Sequence, residues 1–417
     1  MKSFLQFLKR AYKYFRATKR VWRKPPQADL LIIDRGTASP LDEMFAHHNP
    51  HVLDIRGESV NMLALLRAVP KIHLGAVAYL EAYIDFVKPK LILSRNGDSD
   101  LNLWKLKRRK ETSYQVALVQ NGWRPDNFGA IPFSKYEKFG SIRPKIDFAF
   151  VFGLAQGDER INNYSSKVIG SGSTKLNQID FSKMPYDEKE IVYISEYRHQ
   201  EFLRNPDFYA IDSTVCRYVA DFAIRHNLEV HIAGVMSDAE RACAEEEWFS
   251  RQFSGSKWVF HQKQESNSSY YLVNSAKLVV TVDSTMAYES LSMGQKTAIL
   301  CCRKFKRTRG RETLFDLMLS KLEKAGVDTS NIDRLNNRFG ASLAFPEFGF
   351  FWSNIESPAE FERVLKNVYE ASDDEWERVS RPFADQLMVH DYGNTKIRAY
   401  VESVLADSLE NAKVTNI

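Results

Sequence analysis

The chain has 417 residues, of which 44% are hydrophobic and 27% charged, and its formal net charge is +5. A chain of this length is too long to fold around one ordinary hydrophobic core, so two globular domains are expected. Because no run of about 18 apolar residues occurs, no membrane-spanning helix is expected. The four cysteines form no CxxC pair, so we expect reduced thiols in a cytoplasmic protein, with neither a zinc site nor a disulfide framework.

The basic residues are concentrated at the start of the chain. Residues 1–28 hold nine lysines and arginines and no acid, so the rest of the chain carries a net charge of about −4. Apolar and aromatic residues from Phe4 to Trp22 recur near helical spacing, which predicts a basic amphipathic segment over residues 1–27. Residues 1–24 would then bind an anionic membrane surface, or pack on the following domain. No nucleic-acid partner is expected, since the remaining chain is acidic and has no recognisable nucleic-acid module.

Beyond Pro25 and Pro26, short apolar runs alternate with amphipathic segments, which predicts two successive α/β domains. The first spans residues 28–182, and a polar segment from Asp180 to Glu188 links it to the second. Its predicted strands and helices are Leu30–Asp34, Val52–Ile55, Met62–Val69, Leu74–Val87, Leu91–Ser94, Tyr114–Val119, Phe148–Phe152 and a strand from Val168 that opens into a glycine-serine turn.

The second domain spans residues 183–390, and residues 391–417 form a C-terminal helix. Two βα domains that face a cleft predict a pair of Rossmann-like halves. The predicted elements after residue 183 are Ile191–Ile194, Asp207–His226, Leu228–Ala233, Asp238–Phe253, Trp258–His261, Leu278–Val282, Thr297–Cys301, Pro358–Ala371 and Ile397–Leu409.

The most informative pattern is a strand, polar turn, helix and strand over residues 278–299. Its turn is Asp283-Ser284-Thr285, so Ser284 or Thr285 would lie at a helix N-terminus, where amide groups and the helix dipole attract phosphate. Glu289 lies one turn after Thr285 on the same helix face, within reach of a ribose hydroxyl. The alternative is that both hydroxyls only cap the helix and Glu289 faces solvent.

Polar side chains also follow other predicted strands at their carboxyl ends, where open α/β sheets bind ligands. These candidates are Asn96, Asp98, Asp100, Gln120, Asn121, Arg124, Asp126, Glu196, Arg198, His199 and, within a strand, His231. Each admits a structural alternative: a solvated turn for Asp98 and Asp100, a plain turn for Gln120 to Gly122, an ion pair of Glu196 with Arg198 or Arg204, and a core histidine for His231.

The motifs QNG-W-R, VFG, VIGSGSTK, YISEYR and DSTMAYESLSMGQKTA occur in this order between residues 50 and 400. Through these motifs and their order, the chain resembles bacterial surface-carbohydrate biosynthesis proteins. These are similar to the GT-B glycosyltransferases of capsule and O-antigen assembly, including the Kdo and sialic-acid-type transferases that use CMP-sugars. The DST-helix and YISEYR blocks are the more specific parts of the resemblance.

The resemblance implies a role for each candidate. Glu196 falls where retaining Kdo transferases carry a carboxylate nucleophile, and His231 falls near a His-Pro position, although Ile232 replaces the proline here. Related enzymes carry an acidic pair where this chain has Gln120 and Asn121, so Asp98, Asp100 or Asp126 would supply the base. Asp283, Ser284, Thr285, Glu289, Ser171 and Ser173 would border the donor nucleotide, and Asn96, Gln120, Asn121, Arg124, Arg198 and His199 would line the acceptor side.

The implied function is a GT-B glycosyltransferase of capsule, O-antigen or lipopolysaccharide biosynthesis. It would transfer Kdo or another nonulosonic acid from a CMP-sugar to a glycan or lipid-linked glycan at the inner face of the cytoplasmic membrane. No metal or other cofactor is expected, because CMP leaves as a monophosphate. The alternatives are a UDP-sugar transferase, an epimerase, a polyol-phosphate transferase, or a non-catalytic assembly factor on the same fold.

Overall fold

The computed structural model describes the backbone of residues 18–56, 58–95, 102–103, 106–107, 112–122, 146–153, 167–183, 187–198, 210–265, 267–302, 339–340 and 345–414. The described residues form two six-stranded sheets, each wholly parallel, and one two-stranded sheet near the start of the described chain. None of the described helices is long and apolar enough to cross a membrane.

The first sheet has the strand order β3-β2-β5-β6-β7-β8. β1 pairs in parallel with β4 outside this sheet. The strands are β1 (Lys19–Val21), β2 (Leu30–Ile33), β3 (His51–Leu53), β4 (Ser59–Asn61), β5 (Leu91–Ser94), β6 (Gln115–Val119), β7 (Phe148–Val151) and β8 (Val168–Gly170), and the helices are α1 (Arg35–Ala38), α2 (Leu41–Met44), α3 (Met62–Ala68) and α4 (Ala76–Val87).

The second sheet has the strand order β11-β10-β9-β12-β13-β14. The strands are β9 (Lys189–Ile194), β10 (Glu229–Ala233), β11 (Lys257–His261), β12 (Ala276–Thr281), β13 (Thr297–Leu300) and β14 (Trp352–Ser353). The helices are α5 (Ala210–His226), α6 (Ala239–Gln252), α7 (Ser268–Asn274), α8 (Thr285–Ser292), α9 (Pro358–Glu370), α10 (Asp373–Leu387) and α11 (Thr395–Val414).

Apolar side chains cover both faces of each sheet. All four residues of β2 are buried, as parallel strands between two helical layers require. On one face Leu31 and Ile33 pack with α3 and α4. On the other face Leu30 and Ile32 pack with α11, so the last helix of the chain returns to the first domain.

The segment that leads back to α11 passes very close to the first domain. The amide of Val389 donates to the carbonyl oxygen of Phe152 at 2.9 Å. A Cβ atom at Gly172 would lie 1.9 Å from the carbonyl oxygen of Val389, and the φ angle of Gly172 is 69°. Glycine is therefore required there both by contact and by backbone conformation. This close approach joins the glycine-serine turn after β8 to the connection between the domains.

The predicted α/β fold class is confirmed, since the described residues form two Rossmann-like domains, each built on a parallel six-stranded sheet. Most predicted strands and helices match within two or three residues. One prediction is wrong in part, because Lys19–Val21 pairs with Ser59–Asn61 as a strand instead of continuing a basic helix to residue 24. Residues 1–17, the bulk of that segment, lie outside the described residues.

Candidate functional site

The centre of the candidate site is Glu196, which follows β9 at its carboxyl end. Its Oε1 accepts hydrogen bonds from the backbone amide of Asp283 at 2.8 Å and from the hydroxyl of Thr281 at 3.1 Å. Because β9 pairs directly with β12, these groups come from the ends of two neighbouring strands. The strand order of the second sheet reverses at this pair, and such switch points form the ligand-binding crevice of open α/β sheets.

The N-terminus of α8 lies beside Glu196. Ser284 is its N-cap residue, and its hydroxyl accepts a hydrogen bond from the amide of Met286 at 3.3 Å. The strand, turn and helix that the sequence predicts over residues 278–299 are therefore confirmed. The first turn of α8 presents amide groups and the positive end of the helix dipole to the cleft, which is suited to binding an anion.

The first domain reaches α8 through the turn after β6. A Cβ atom at Gly122 would lie 3.7 Å from the hydroxyl of Thr285, so this turn and the helix N-terminus are in van der Waals range. Gln120 bridges its own turn, since its amide donates to the carbonyl of Gly122 and its oxygen accepts from the amide of Phe152. Asn121 donates to the carbonyl oxygen of Arg95 at 3.0 Å. Gln120 and Asn121 thus hold the shape of the turn that faces Thr285.

Glu289 lies at the contact between the two domains. Its side chain is 5% exposed and accepts a hydrogen bond from the hydroxyl of Ser173, in the first domain. The hydroxyl of Tyr270 lies 2.9 and 3.0 Å from the two carboxylate oxygens. Burial raises the pKa of the Glu289 carboxyl, while the two hydroxyls and nearby cations oppose that effect. The Glu289 carboxyl therefore joins the two domains in this structure, and its contact with a ribose stays a prediction.

The two predicted serines of the glycine-serine turn are both buried. Ser173 contacts Glu289. Ser171 has its carbonyl oxygen bound by the amide of Asn177 at 2.7 Å, and Asn177 in turn bonds Asn394 of the returning segment at 3.0 Å. The contacts of these serines stabilise the turn at the domain boundary.

His231 lies apart from Glu196. Its Nδ1 is 2.9 Å from Nε2 of His261, and its Nε2 is 3.0 Å from the carboxylate of Glu229 at the amino end of β10. Burial lowers the pKa of the His231 imidazole. Both ring nitrogens of His231 therefore contact groups of β10 and β11, and its catalytic role stays a prediction.

Glu245 supports the site and was not predicted. It lies on α6, is fully buried, and accepts hydrogen bonds from the hydroxyl of Ser195 and the amides of Val235 and Met236 at 3.0 Å each. Glu245 thereby fixes the loop after β10 and the loop after β9, which it contacts at Ser195, the residue before Glu196. A signal existed in the sequence, since Glu245 occupies the apolar face of α6 with Ala242 and Trp248.

A cavity of about 490 Å³ opens at the carboxyl ends of β10 and β11, on the same edge of the sheet as Glu196. This volume is within the usual range for a small-molecule site. Residues of the strand ends and of α6 and α7 line it, among them Ala233, Phe260, His261, Gln262, Cys243 and Ser269.

Several predicted site residues lie outside the described part of the chain: Asn96, Asp98, Asp100, Arg124, Asp126 and His199. Arg198 is described and exposed, two residues after Glu196. The residues that the structure brings together are thus Glu196, Asp283, Ser284 and Thr285 from the second domain, with the turn from Gln120 to Gly122 opposite.

The sequence profile of a family described as "putative O-antigen biosynthesis protein" matches residues 117–313 and 327–405, well over half of the chain. The chain belongs to this family. The matched O-antigen family region includes the turn after β6, the whole second sheet and most of α11. No curated protein gives a significant match to the chain.

Solved structures of similar overall shape are distant in sequence. One is the S. aureus MnaA–UDP co-structure, with 12% identity, a TM-score of 0.46 and coverage of 93% of this chain and 97% of that chain. Another is sucrose-phosphate synthase from Thermosynechococcus elongatus, with 11% identity, a TM-score of 0.47 and coverage of 91% of this chain and 99% of that chain. A third is the spinosyn rhamnosyltransferase SpnG, with 11% identity, a TM-score of 0.48 and coverage of 89% of this chain and 99% of that chain. These likenesses are too distant to assign an activity.

The raised pKa of Glu289 predicts a pH-dependent stability. The folded protein holds the Glu289 proton more tightly than the unfolded chain, so the stability due to this group is present below the ordinary carboxyl pKa of about 4.3 and is lost as the pH rises through the raised folded value. Glu289→Gln keeps an amide oxygen for Ser173 and Tyr270 but has no proton to lose. The free energy of unfolding of wild type relative to this variant should therefore fall with rising pH.

Urea unfolding at a series of pH values measures this difference. The matched control is Glu377→Gln, which changes an exposed acid of α10 and should not alter the pH profile of wild type. If the free energies of unfolding of wild type and Glu289→Gln change in parallel with pH, the claim that burial raises the pKa of Glu289 in the folded protein is contradicted.

Proposed function

We propose that the protein is a glycosyltransferase that transfers a sugar from a nucleotide-activated donor to a glycan acceptor in surface polysaccharide biosynthesis. Membership of the O-antigen biosynthesis family supports this class of pathway. The observation that carries the reaction type is the position of Glu196. It is a carboxylate at the switch point of the second sheet, bound by the Asp283 amide and beside the N-terminus of α8.

Glycosyl transfer requires two groups that this site supplies next to each other. A carboxylate near the anomeric carbon acts as base or nucleophile for the oxocarbenium-like transition state, and we assign this role to Glu196. The leaving phosphate of the nucleotide needs positive electrostatic potential, and we assign this role to the first turn of α8 with Ser284 and Thr285. The turn from Gln120 to Gly122 would border the acceptor, because it faces Thr285 from the other domain.

We further propose a CMP-activated acidic sugar, of the Kdo or nonulosonic type, as the donor. The support is the resemblance of the YISEYR and DST-helix blocks to transferases of that kind. The cavity beside β10 and β11 has room for a nucleoside, and it adjoins the loop that carries Glu196. A nucleotide would then extend from this cavity toward the N-terminus of α8.

The nucleotide preference is directly measurable. We expect CMP to bind more tightly than UDP or CDP in calorimetric titrations, and cytidine to bind more weakly than CMP because it lacks the phosphate that α8 would hold. The matched variant is Cys243→Phe, which fills the proposed base cavity and should weaken all of these ligands. Tight binding of UDP with no response to CMP would contradict the proposed donor class and favour a UDP-sugar enzyme.

Glu196→Gln tests the chemical role. The amide oxygen can still accept from Asp283 and Thr281, so nucleotide binding should persist, while transfer should fall by about 10²- to 10⁴-fold because the charge is lost. Transfer is measured as radiolabelled sugar incorporated into glycan, and binding by calorimetry.

The control for this variant is Glu190→Gln, at the opposite end of the same strand, where Glu190 contacts Lys277 at 3.1 Å. It should leave transfer unchanged. Normal turnover by Glu196→Gln would remove this carboxylate from the mechanism, and would favour a non-catalytic assembly factor if the wild type were also inactive.

We also propose that the basic N-terminal segment binds the protein to an anionic membrane surface. Because Lys19–Val21 pairs with β4, the informative truncation removes residues 1–17 and leaves this strand in place. It removes five lysines and arginines, each of which contributes about 1 kcal/mol near an anionic surface. Co-sedimentation with phosphatidylserine-containing vesicles should fall by at least about 100-fold. Unchanged sedimentation would locate membrane binding elsewhere.

A further inference from the structure

Arg95 is a buried cation at the switch point of the first sheet. It directly follows β5, which pairs with β2 where the strand order reverses, so it lies in the crevice where such sheets bind ligands. Its side chain is 4% exposed. Nη1 donates to the carbonyl oxygens of Thr37, at 3.1 Å, and Ser39, both in the segment after β2. These two contacts fix the guanidinium but do not neutralise its charge.

Within the described residues, Arg95 has neither a carboxylate at ion-pair distance nor a hydrogen-bond partner for its Nε. Burial lowers the pKa of the guanidinium to about 10, and the charges of Glu289 and Asp42, which act in the opposite direction, compensate only in part. A buried charge without a counter-ion is costly, and such groups are ordinarily paired or bound to a ligand. Among the described residues, Arg95 therefore has no anionic partner at ion-pair distance.

Two lysines add to the positive charge at this place. Partial burial lowers the pKa of the Lys175 ammonium although the residue reaches the surface, and the positive charges of Arg95 and Lys263 lower it further. Lys175 follows the glycine-serine turn of the first domain, and Lys263 follows β11 of the second. In the described part of the chain neither lysine forms an ion pair. Since Arg95 and Lys263 both act electrostatically on Lys175, three cations from the two domains lie near one another, and within the described residues none of them is bound to a carboxylate.

The nearest buried acid does not balance these charges. Glu289 accepts from the hydroxyls of Ser173 and Tyr270, and its single negative charge acts on both Arg95 and Lys175 without forming an ion pair with either. The hydroxyl of Thr174, buried beside Lys175, has no partner among the described residues and can donate to a ligand. The boundary between the domains therefore has an excess of positive charge and unused hydrogen-bond donors.

We propose that Arg95, Lys175 and Lys263 bind an oxyanion of the substrate, a carboxylate or a phosphate, at the boundary between the two domains. This subsite rests on the proposed function, since it makes the transferred sugar or the acceptor an anionic one. Glu289, which marks the place, lies one turn of α8 beyond Thr285, about 6 Å along the helix axis. The oxyanion is therefore separate from the donor phosphate at the N-terminus of α8.

The test is calorimetric titration of wild type and variants with free Kdo, inorganic phosphate and glucose at fixed ionic strength. Wild type should bind Kdo or phosphate in the millimolar range and should not bind neutral glucose. Arg95→Met should weaken anion binding by about tenfold or more, since it removes a charge-assisted hydrogen bond. Tighter binding of Kdo than of phosphate assigns the site to a carboxylate, and the reverse order assigns it to a phosphate.

The matched control is Arg67→Met, which removes an exposed arginine paired with Asp85 in the same domain and should bind the anions as wild type does. Lys175→Ala changes an exposed residue and serves as a second variant if Arg95→Met fails to fold. Equal affinity in wild type and Lys175→Ala, or no anion binding by wild type, overturns the proposal. These titrations need no donor, so anion binding without transfer overturns the proposed function alone, and transfer without anion binding overturns the subsite alone.

Discussion

The direct pairing of β9 with β12 is the constraint on which the candidate site depends. Their register brings Glu196, at the end of one strand, to the amide of Asp283, at the end of the other. The helix that follows β12 then begins within the same crevice, with Ser284 as its cap. A carboxylate and a helix N-terminus suited to binding an anion thus become neighbours in space, although they lie far apart in the sequence. This juxtaposition suits the charge changes of glycosyl transfer, in which positive charge develops on the sugar and negative charge on the leaving phosphate.

A second constraint is the contact between the domains. Glu289 joins Ser173 of the first domain to Tyr270 of the second, and the returning segment passes over Gly172. Because α11 packs on the first sheet, the chain crosses the boundary twice. These contacts bring the two switch points toward each other, with Arg95 on one side and Glu196 on the other. The boundary is thus both a structural joint and the place where substrate charge would be recognised.

The parts of this structure that follow from the sequence are those set by local pattern. The apolar run, polar turn and helix around Ser284 were predictable because the hydrophobic period changes at Asp283 and a glycine ends the helix. Helix α10 was not predicted, since it is mostly polar and contains Pro382. Likewise the strand Lys19–Val21 is very basic, and its partner β4 lies about 40 residues away.

The roles of single side chains depended on tertiary contacts that no local pattern reveals. Glu289 has the spacing of a solvent-facing or ligand-facing residue, yet the other domain covers it. His231 has the position of a strand-end ligand, yet His261 and Glu229 occupy both ring nitrogens. No local pattern distinguishes Arg95 from its neighbours in sequence, although its burial without a counter-ion among the described residues makes it an unusual group.

We propose that a nucleotide binds between the cavity at β10 and β11 and the N-terminus of α8, with its phosphate close to Glu196. A crystal structure of the protein soaked with CMP tests this most directly. The account predicts the phosphate at the first turn of α8, beside Ser284 and Thr285, and the base among the residues that line the cavity, such as Phe260 and Gln262. A nucleotide bound in the first domain, or bound with its phosphate away from α8, would contradict it.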